Sequence, residues 1–587
     1  MISALDLLER TAPVISVNGS DLSAAMMAGL VQARVELGLG VIGRVTLRFV
    51  DPDHAIATGA TFALGSKVQV KIAQQEIAAA YVTGAMFSQD NHAQPEFVVT
   101  ADDAAYKLTR KIAPATYEQM TYSDVIIKLA GECGLSANVT STTEQHPYQL
   151  ISGSPLAYLD TITRRIGQVW WMSANDTLVT KDVDDISDTV EVVAEDLNSL
   201  SIRESAMYPS DVTASGWDIT KKSEVAGNAG GQRNGTFDDG PMGRYGKTAS
   251  LPSSASSQLS GLNPITTTEA GLVSKALLTE VIDSSRVLRG ESMAHERFMP
   301  GKKLKIAESN AFAGEFLLSS VEHIYRPGKD FITRFVAGPH RPPGLVEALG
   351  NPVRDPGLHH LELVAAVVTN CADPDNLGRV KVKYLGIPGE IESGWARIAT
   401  VGAGLNRGIV FFPEINDEVL VGFEGGDMRR PVVLGGLYNG KDTPPTEPLQ
   451  QTNGKTNARR LISRSGNFVE FSDGDNDTEN HVKIAMKGGS ELRVGKDETT
   501  LKQSKPLKIT VGSASIEIDD SGNVKITGDT ISIKATKDLT LEGMSVTVKA
   551  SQKVALSGLA GEFKTNGQLN LESTGQTALK GAMVMIN

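Results

Sequence analysis

The chain has 587 residues, of which 40% are hydrophobic, 21% are charged and 5% are aromatic. This length predicts several domains, since one domain usually holds about 100–200 residues, and no apolar run approaches the ~18 residues that a membrane-spanning helix needs. The net charge of −12 argues against a dedicated nucleic-acid binder, and two cysteines, Cys133 and Cys371, are too few for a disulfide framework or a zinc site.

The first residues contain no basic segment followed by an apolar one, so no secretory signal is expected and the chain is expected to be made in the cytoplasm. Residues 1–100 form the first predicted region. Val14–Val17, Gly43–Phe49 and Lys67–Ile72 alternate apolar and polar residues, as half-buried strands do. We expect a small barrel or sandwich.

Residues 101–345 predict a mixed region with two helices. The apolar spacing over Thr121–Ala130 is helical, and Ser154 followed by Pro155 is typical of the start of a second helix that ends at Gly167. A strand is predicted at Trp170–Met172. Residues 222–262 are rich in Gly, Ser and Asn and predict a mobile surface loop, after which further β segments are expected to about residue 340.

Residues 358–440 predict a small barrel of OB type. Five short β segments with Gly and Asp turns lie at suitable spacing: Leu361–Thr369, Arg379–Tyr384, Ala396–Val401, Glu418–Glu424 and Pro431–Gly435. A proline-containing linker is predicted over 441–460, and a β-strand transition segment over 461–511.

Residues 512–587 contain the most informative pattern. Pairs of aliphatic residues flank one small or polar residue and recur every seven or eight positions, and no Pro, Trp, Tyr, His, Cys or Arg occurs after residue 511. A fixed short repeat is typical of a β-helix or solenoid. We call these fourteen residues the apolar ladder: Ile516, Ile518, Val524, Ile526, Ile531, Ile533, Leu539, Leu541, Val546, Val548, Val554, Leu556, Leu569 and Leu571.

The ladder predicts three intertwined chains. Both members of a pair point to one face of a strand while the middle residue points to the other. Two buried residues per repeat are a small core for one chain, whereas three chains around one axis close a triangular prism and leave few free sheet edges. The structural alternatives are a set of ordinary β-hairpins and an aggregation-prone low-complexity tail.

No cluster of residues predicts catalysis or metal binding. Glu414, Asp417 and Glu418 are interpreted as a polar turn, because no partner base lies at a catalytic spacing. His359–His360 lack a metal-ligand spacing, and Asp473–Asp477 resembles a calcium loop but has Ile484 where the twelfth-position glutamate would stand. Trp170–Trp171 is expected in the core. We therefore expect no catalytic residues, cofactor or metal.

Four segments resemble VgrG-type hub and spike proteins of contractile injection systems. They are Asp373–Lys383, Trp395–Ala399, Phe412–Asp427 and Arg430–Asn439, which are similar to the OB-fold of that family. Asn416 stands where Gly is commoner in the family, and Asn tolerates the left-handed turn conformation. Residues 121–172 resemble the hub half that the family shares with phage tail hub proteins.

The resemblance implies a mainly β fold, with hub β-barrels and inserted helices, an OB-fold collar and a C-terminal intertwined trimeric β-helix. It implies a homotrimer that adapts a hexameric tube to a three-fold spike, contacts baseplate proteins and punctures the target cell membrane. A PAAR-type tip protein is expected to dock on Met583, Val584, Met585, Ile586 and Asn587, and effectors are further expected partners. Such a chain is assembled into a contractile particle or secretion apparatus and delivered outside the cell.

Two other functions stay open at this point. An OB-fold can bind nucleic acid or glycans, although the acidic charge and low aromatic content weigh against both. A tail-associated cell-wall hydrolase is the third hypothesis. The sequence does not distinguish a phage tail, a type VI secretion apparatus and an extracellular injection particle.

Overall fold

The structure is a computed structural model. It describes residues 12–586 except 91–93, 111–113, 152, 205–208, 210, 231–255, 260–263, 308–313, 340–362, 387–389, 446–454 and 475–477. The chain divides into two compact units, Met1–Pro444 and Pro445–Asn587. No helix among the described residues is both long and apolar enough to span a bilayer.

The hub region, residues 12–339, is built on one 13-stranded sheet. Its two halves join where Leu30–Gly38 pairs antiparallel with Glu315–Arg326. Separate hydrophobic cores lie in the two halves, one around Phe49 and one around Phe335. The strands of the first half are β1 to β7: Val14–Val17, Ser20–Asp21, Leu30–Gly38, Arg44–Val50, Lys67–Ile72, Gln75–Ser88 and Glu96–Asp102. The three strands predicted before residue 100 are confirmed.

Sixteen further strands complete the hub region. β8 to β14 are Ala115–Tyr117, Met120–Thr121, Ser136–Val139, Gln145–His146, Gln149–Ile151, Gln168–Met172 and Thr177–Asp182. β15 to β23 are Thr189–Val193, Leu197–Glu204, Asp211–Asp218, Ser223–Gly230, Ser256–Leu259, Arg286–Met293, Lys303–Ala307, Glu315–Arg326 and Asp330–Ala337. Short 3₁₀ turns occur at Ala104–Tyr106, Val183–Asp185 and Ala194–Asp196.

Five α-helices lie in the hub region. They are α1 to α5: Ala24–Gly29, Lys107–Arg110, Tyr122–Glu132, Pro155–Ile166 and Thr267–Ser285. Both predicted helices are confirmed. Thr121 and Asp124 form a capping box at the start of α3, and Ser154 caps α4. Gly167 ends α4 at a φ of 75°, in the left-handed region that glycine adopts without strain.

The predicted loop over 222–262 is wrong at both described ends. β17 pairs antiparallel with β18 and parallel with β19. The remainder of the predicted loop, 231–255 and 260–262, lies outside the described residues. α5, which packs on this small sheet, also replaces β structure that was predicted there. Its start follows a capping pattern, because Thr266 accepts a hydrogen bond from the Glu269 amide. A Gly-rich segment can be a strand when a helix approaches its backbone closely.

Gly227 allows that close approach, and its replacement tests the packing. A Cβ at Gly227 would lie 2.2 Å from the Gly271 nitrogen on α5, a distance that forces the helix away. We expect Gly227→Ala to lower the free energy of unfolding by about 1–3 kcal/mol, as overpacking does. Thermal unfolding measures it, with Gly131→Ala as the control because nothing lies within 4 Å of that site. Equal melting temperatures for the two variants would contradict the close contact.

The five predicted strands of the OB-type domain are confirmed, although β25 and β26 are shorter than predicted. β24 to β28 are Leu363–Asn370, Lys381–Tyr384, Arg397–Ile398, Glu418–Phe423 and Pro431–Gly436, in the sheet order β25-β24-β27-β28-β26. A 3₁₀ turn spans Glu424–Gly426. β26 covers two residues rather than the six predicted, because Ala396 instead forms an isolated bridge with Val380 and the chain after Ile398 turns outward with Val401 exposed.

The second unit consists of two antiparallel sheets and a repetitive extended segment. β29 to β33 are Ala458–Ile462, Phe468–Ser472, His481–Ala485, Glu491–Gly495 and Thr499–Lys502, paired in sequence order. β34 to β36 are Leu507–Val511, Ala514–Ile518 and Val524–Thr527. Residues 528–586 follow as extended stretches separated by bends, and no strand pairing is assigned within that part.

Candidate functional site

The apolar ladder is exposed along its whole length in the single chain. The exposed fraction of its fourteen side chains runs from 37% at Ile518 to 79% at Leu556. The first two pairs lie on neighbouring antiparallel strands, where Ile516 faces Ile526 and Ile518 faces Val524. A contiguous apolar surface of this extent is unusual on a soluble monomer and marks an interaction site.

Over residues 528–586 the backbone of this segment is extended, and no strand pairing is assigned to it among the described residues. Bends recur at 536–537, 543–544, 551–552, 559, 566–567, 574–575 and 582–583, so the extended stretches between them keep the seven- to eight-residue period of the sequence. An isolated extended strand is not stable in water, because its peptide groups and apolar side chains gain nothing from the conformation. The ladder is therefore an exposed apolar surface whose assigned strand pairing, among the described residues, ends at Thr527.

The predicted tip-docking edge is exposed where it is described. Met583, Val584, Met585 and Ile586 expose between 53% and 84% of their surface. Asn587 lies outside the described residues.

The sequence-predicted polar groups have structural roles where the structure describes them. The Asp417 carboxylate accepts a hydrogen bond from the Glu414 amide (2.8 Å) across a turn in which Asn416 has a φ of 76°, and Glu418 accepts one from the Asn439 side chain (2.8 Å). These contacts confirm the interpretation of Glu414, Asp417 and Glu418 as a polar turn. His359–His360 and 475–477 lie outside the described residues, and within the remainder no group of three His, Cys, Asp or Glu side chains could hold a metal ion.

The tryptophan pair belongs to the core, as predicted. Trp170 is fully buried, and its indole N–H donates to the Asp160 carboxylate at 2.6 Å. Trp171 is half-buried and packs on the small core around Val169 and Val183.

A buried charge network, which the sequence did not predict, joins the hub region to the OB-type domain. We call it the joint; its members are Tyr122, His146, Arg165, Glu269, Asp427 and Arg429. Arg429 lies 3.0 Å from Glu269 and 2.8 Å from Asp427, measured between nitrogen and oxygen atoms. Arg165 lies 2.8 Å from the same Glu269 oxygen, and the side chains of these four residues are at most 5% exposed.

Three hub helices and one collar turn position these groups. Tyr122 begins α3, Arg165 lies in the last turn of α4 and Glu269 in the first turn of α5, where the helix dipole favours a carboxylate. Asp427 and Arg429 follow the 3₁₀ turn of the OB-type domain. The Tyr122 hydroxyl donates to Glu269 (3.1 Å) and accepts from Arg429 (3.1 Å). The two domains thus share one fully paired network.

The network keeps its charges ionised in spite of burial. Burial opposes ionisation of Glu269, but Arg429 and Arg165 outweigh it and hold the pKa of that carboxyl well below its usual range. Burial likewise opposes the charge on Arg429, and Asp427 and Glu269 raise its pKa above the ordinary value. A buried pair of this kind is costly to break by removing one partner.

Other contacts around the joint strengthen the same boundary. Tyr148 of the hub region inserts into the core of the OB-type domain, and its hydroxyl donates to the Glu392 carbonyl at 2.8 Å. Lys381 pairs with Glu118 at 3.0 Å, and Arg430 donates to the Trp217 carbonyl at 3.1 Å. The hub region and the OB-type domain therefore contact each other through both apolar and polar groups.

His146 makes the stability of the joint depend on pH. The ring stacks on Tyr122 with 3.9 Å between centroids, and burial lowers its pKa from 6.5 to about 4, with Arg429 and Arg165 acting in the same direction and Glu269 opposing them. The unfolded state therefore binds more protons between pH 4 and 6.5, so stability falls as the pH is lowered. We expect a loss of about 2 kcal/mol between pH 7 and pH 5 from this residue.

The His146→Gln variant tests that dependence. His323, whose pKa burial lowers to about 3, adds a slope of the same sign, and Asp103, whose pKa burial raises to about 7, adds one of the opposite sign. Because the variant changes neither residue, its difference from the unmodified protein isolates His146, and the variant should lose about 2 kcal/mol less free energy of unfolding between pH 7 and pH 5. An unchanged pH dependence would show that His146 is not held neutral by the joint.

Comparison with known proteins identifies the family. Residues 9–326, more than half of the chain, match the family model described as the Alg8 N-terminal domain. Residues 364–438 match the type VI secretion system/phage-baseplate injector OB domain. The chain is 33% identical over 133 residues to the type VI secretion system spike protein VgrG1c of Pseudomonas aeruginosa, a match that covers 21% of this chain and 18% of that protein.

The chain belongs to the Alg8 N-terminal domain family and is a VgrG-type spike protein. It is also 32% identical over 164 residues to the spike protein VgrG5 of the same organism, covering 24% of this chain and 20% of the relative. The matches thus span at most 20% of the length of these two curated VgrG relatives. The solved structure of the E. coli c3393 protein, a component of the type VI secretion system, aligns at a TM-score of 0.47 and 13% identity, covering 72% of this chain and 99% of that one.

Proposed function

We propose that this VgrG-type chain forms the trimeric hub and membrane-puncturing spike at the tip of a contractile injection system. The observation that supports the proposal is the apolar ladder, whose aliphatic pairs are exposed and whose described backbone beyond residue 527 is extended with no assigned strand pairing. Three copies wound around one axis would bury the pairs and pair the peptide groups at the same time. The spike relatives have names that agree with this role.

The hub region would adapt the hexameric tube to the three-fold spike. Its 13-stranded sheet contains two cores, one in each half. Three copies would present six such halves to a six-fold ring. Contraction of a sheath would then push the tube and hub forward, and the joint would pass the thrust to the OB-type collar without a hinge, because its charges are buried and fully paired.

The free end of the shaft would receive the tip. The exposed aliphatic and thioether side chains of Met583 to Ile586 form a small apolar edge that suits a PAAR-type tip protein, and effectors would travel with that tip or with the collar. This role is mechanical and requires no catalysis by the chain.

Assembly with the tube tests the proposal. The chain is co-expressed with the hexameric tube protein of a contractile injection system, and the product is imaged by electron microscopy. We expect three copies of the chain to cap one end of a hexameric ring or tube, with a thin shaft on the far side. Truncation before residue 512 should remove the shaft while the OB-type domain stays folded. A chain that remains monomeric and does not bind the tube would overturn the proposal.

A further inference from the structure

The sequence contains five Asn-Gly pairs, which begin at positions 18, 234, 439, 453 and 566. An asparagine in such a pair can lose its side-chain amide without an enzyme, because the glycine has no Cβ to keep its backbone nitrogen away from the asparagine side-chain carbon. The hydrogen bonds that hold the two groups decide whether a given pair reacts. The pairs at 234 and 453 lie outside the described residues, and the other three differ in this respect.

The side chain of Asn18 is tied to the start of a neighbouring strand. Its oxygen accepts a hydrogen bond from the Lys67 amide at 2.9 Å, and its nitrogen donates to the Ser66 hydroxyl at 3.2 Å. Asn18 and Gly19 also form the tight turn between the paired strands β1 and β2, with φ values of 50° and 82°. Both the side chain and the backbone of this pair are therefore held in place.

The side chain of Asn439 is tied still more firmly. Its oxygen accepts hydrogen bonds from the amides of Lys441 at 2.8 Å and Asp442 at 2.7 Å. Its nitrogen donates to the Glu418 carboxylate at 2.8 Å. This side chain must give up these bonds before its carbonyl carbon can turn toward the next backbone nitrogen.

Asn566 has no comparable restraint. It is exposed, and its side chain makes no hydrogen bond within the part of the chain that the structure describes. Asn566 and Gly567 form one of the recurring bends of the ladder segment, and the Gly567 amide donates to the exposed Thr565 hydroxyl at 3.2 Å, a contact that water can replace. The space around Gly567 is open, since a Cβ there would meet nothing within 4 Å.

We propose that Asn566 is a site of spontaneous deamidation. The Gly567 amide loses its proton to solvent, and its nitrogen attacks the side-chain carbonyl carbon of Asn566. The new bond closes a five-membered succinimide ring, while the bond from that carbon to the side-chain nitrogen breaks and the nitrogen leaves as ammonia with a proton from water. A second water molecule then opens the ring at one of its two carbonyls, which gives an aspartate or an isoaspartate at position 566.

Either product changes the end of the ladder. Both add one negative charge per chain close to Lys564 and Glu562, which form an ion pair at 3.4 Å. The isoaspartate also adds a methylene to the backbone, which disturbs the period just before the last ladder pair, Leu569 and Leu571. The end of the shaft therefore loosens as the protein ages. This consequence rests on the proposed spike, whereas the deamidation itself does not.

Peptide mapping of the full-length chain tests the inference. The purified protein is kept at mildly alkaline pH, where more of the amide nitrogen is deprotonated, and samples are taken over several weeks. Mass spectrometry measures the deamidated fraction at Asn18, Asn439 and Asn566, and light scattering gives the mass in solution. Gly567→Ala is the matched variant, because its added Cβ meets no neighbour in the fold but hinders the attack.

We expect Asn566 to deamidate at least about tenfold faster than Asn18 or Asn439, because the hydrogen bonds that hold those two side chains must break first. Gly567→Ala should slow the reaction at Asn566 by at least about tenfold. A trimer in which Asn566 is as stable as Asn439 keeps the proposed function and overturns this inference. Fast deamidation that Gly567→Ala does not slow also overturns it, because the reaction would not pass through the succinimide. A folded monomer that deamidates at Asn566 supports this inference and overturns the proposed function.

Discussion

Ile533→Asp is expected to prevent the chain from forming a stable trimer. Three copies would bring three carboxylates into one layer of the shaft, away from water and close to one another. Burying an unpaired charge costs several kcal/mol for each ion, and like charges at short range add to it. Light scattering of the purified full-length variant should therefore give the mass of one chain, 62.4 kDa, or a concentration-dependent mixture.

Ser532→Asp is the matched control, since it places the same charge one residue away. Strand alternation puts Ser532 on the face opposite Ile531 and Ile533, so its carboxylate would stay in water. We expect this variant to keep the mass and melting temperature of the unmodified protein. If both aspartates disrupt the assembly equally, or if neither does, the ladder is not a core with an inner and an outer face.

Arg429→Met is expected to separate the unfolding of the hub region from that of the collar. The variant leaves Glu269 and Asp427 buried, and Glu269 keeps the charge of Arg165 and the hydrogen bond from Tyr122. Removing one partner of a buried ion pair costs about 3–5 kcal/mol. Differential scanning calorimetry should show a lowered transition that splits into two, because the domains lose their shared network. Limited proteolysis at native temperature should then cut between the domains faster than in the unmodified chain.

Arg397→Met supplies the control for that prediction. Arg397 lies in the same domain and pairs with Glu424 at 2.6 Å, but its side chain is 46% exposed. An exposed pair contributes at most about 1 kcal/mol, so the transition should barely move. Similar calorimetric traces for the two variants would show that burial of the joint does not couple the unfolding of the hub region to that of the OB-type domain.

Local signals in the sequence were sufficient for most elements. Strand alternation located β1, β4 and β5, and the capping residues Thr121 and Ser154 located α3 and α4. These signals act over a few residues, so they can be read without knowing the rest of the molecule. Short β segments separated by Gly and Asp turns located the five strands of the OB-type domain in the same way.

The errors occurred where tertiary contacts decide the structure. Nothing local distinguishes the Gly-rich strand β18 from a loop, because its conformation depends on the helix that crosses Gly227. α5 did offer one signal, the Thr266 and Glu269 capping pattern, but it stands beside a segment of low complexity. Tertiary context can override composition at such places.

The joint lay beyond sequence reasoning for a related reason. Its residues come from positions 122 to 429, and each one alone resembles an ordinary surface charge or tyrosine. Only folding places Arg165, Glu269 and Arg429 within hydrogen-bond distance and removes them from water. The ladder is the opposite case, because the period of its aliphatic pairs can be read from a short stretch of sequence, although the partners proposed for it are other chains.

Native mass spectrometry of the unmodified full-length chain tests the central claim most directly. We expect a single species at three times 62.4 kDa that persists at low micromolar concentration, because every ladder pair is buried only when three chains meet. A stably folded species with the mass of one chain would contradict the account, since its exposed aliphatic pairs would then have no partner to cover them.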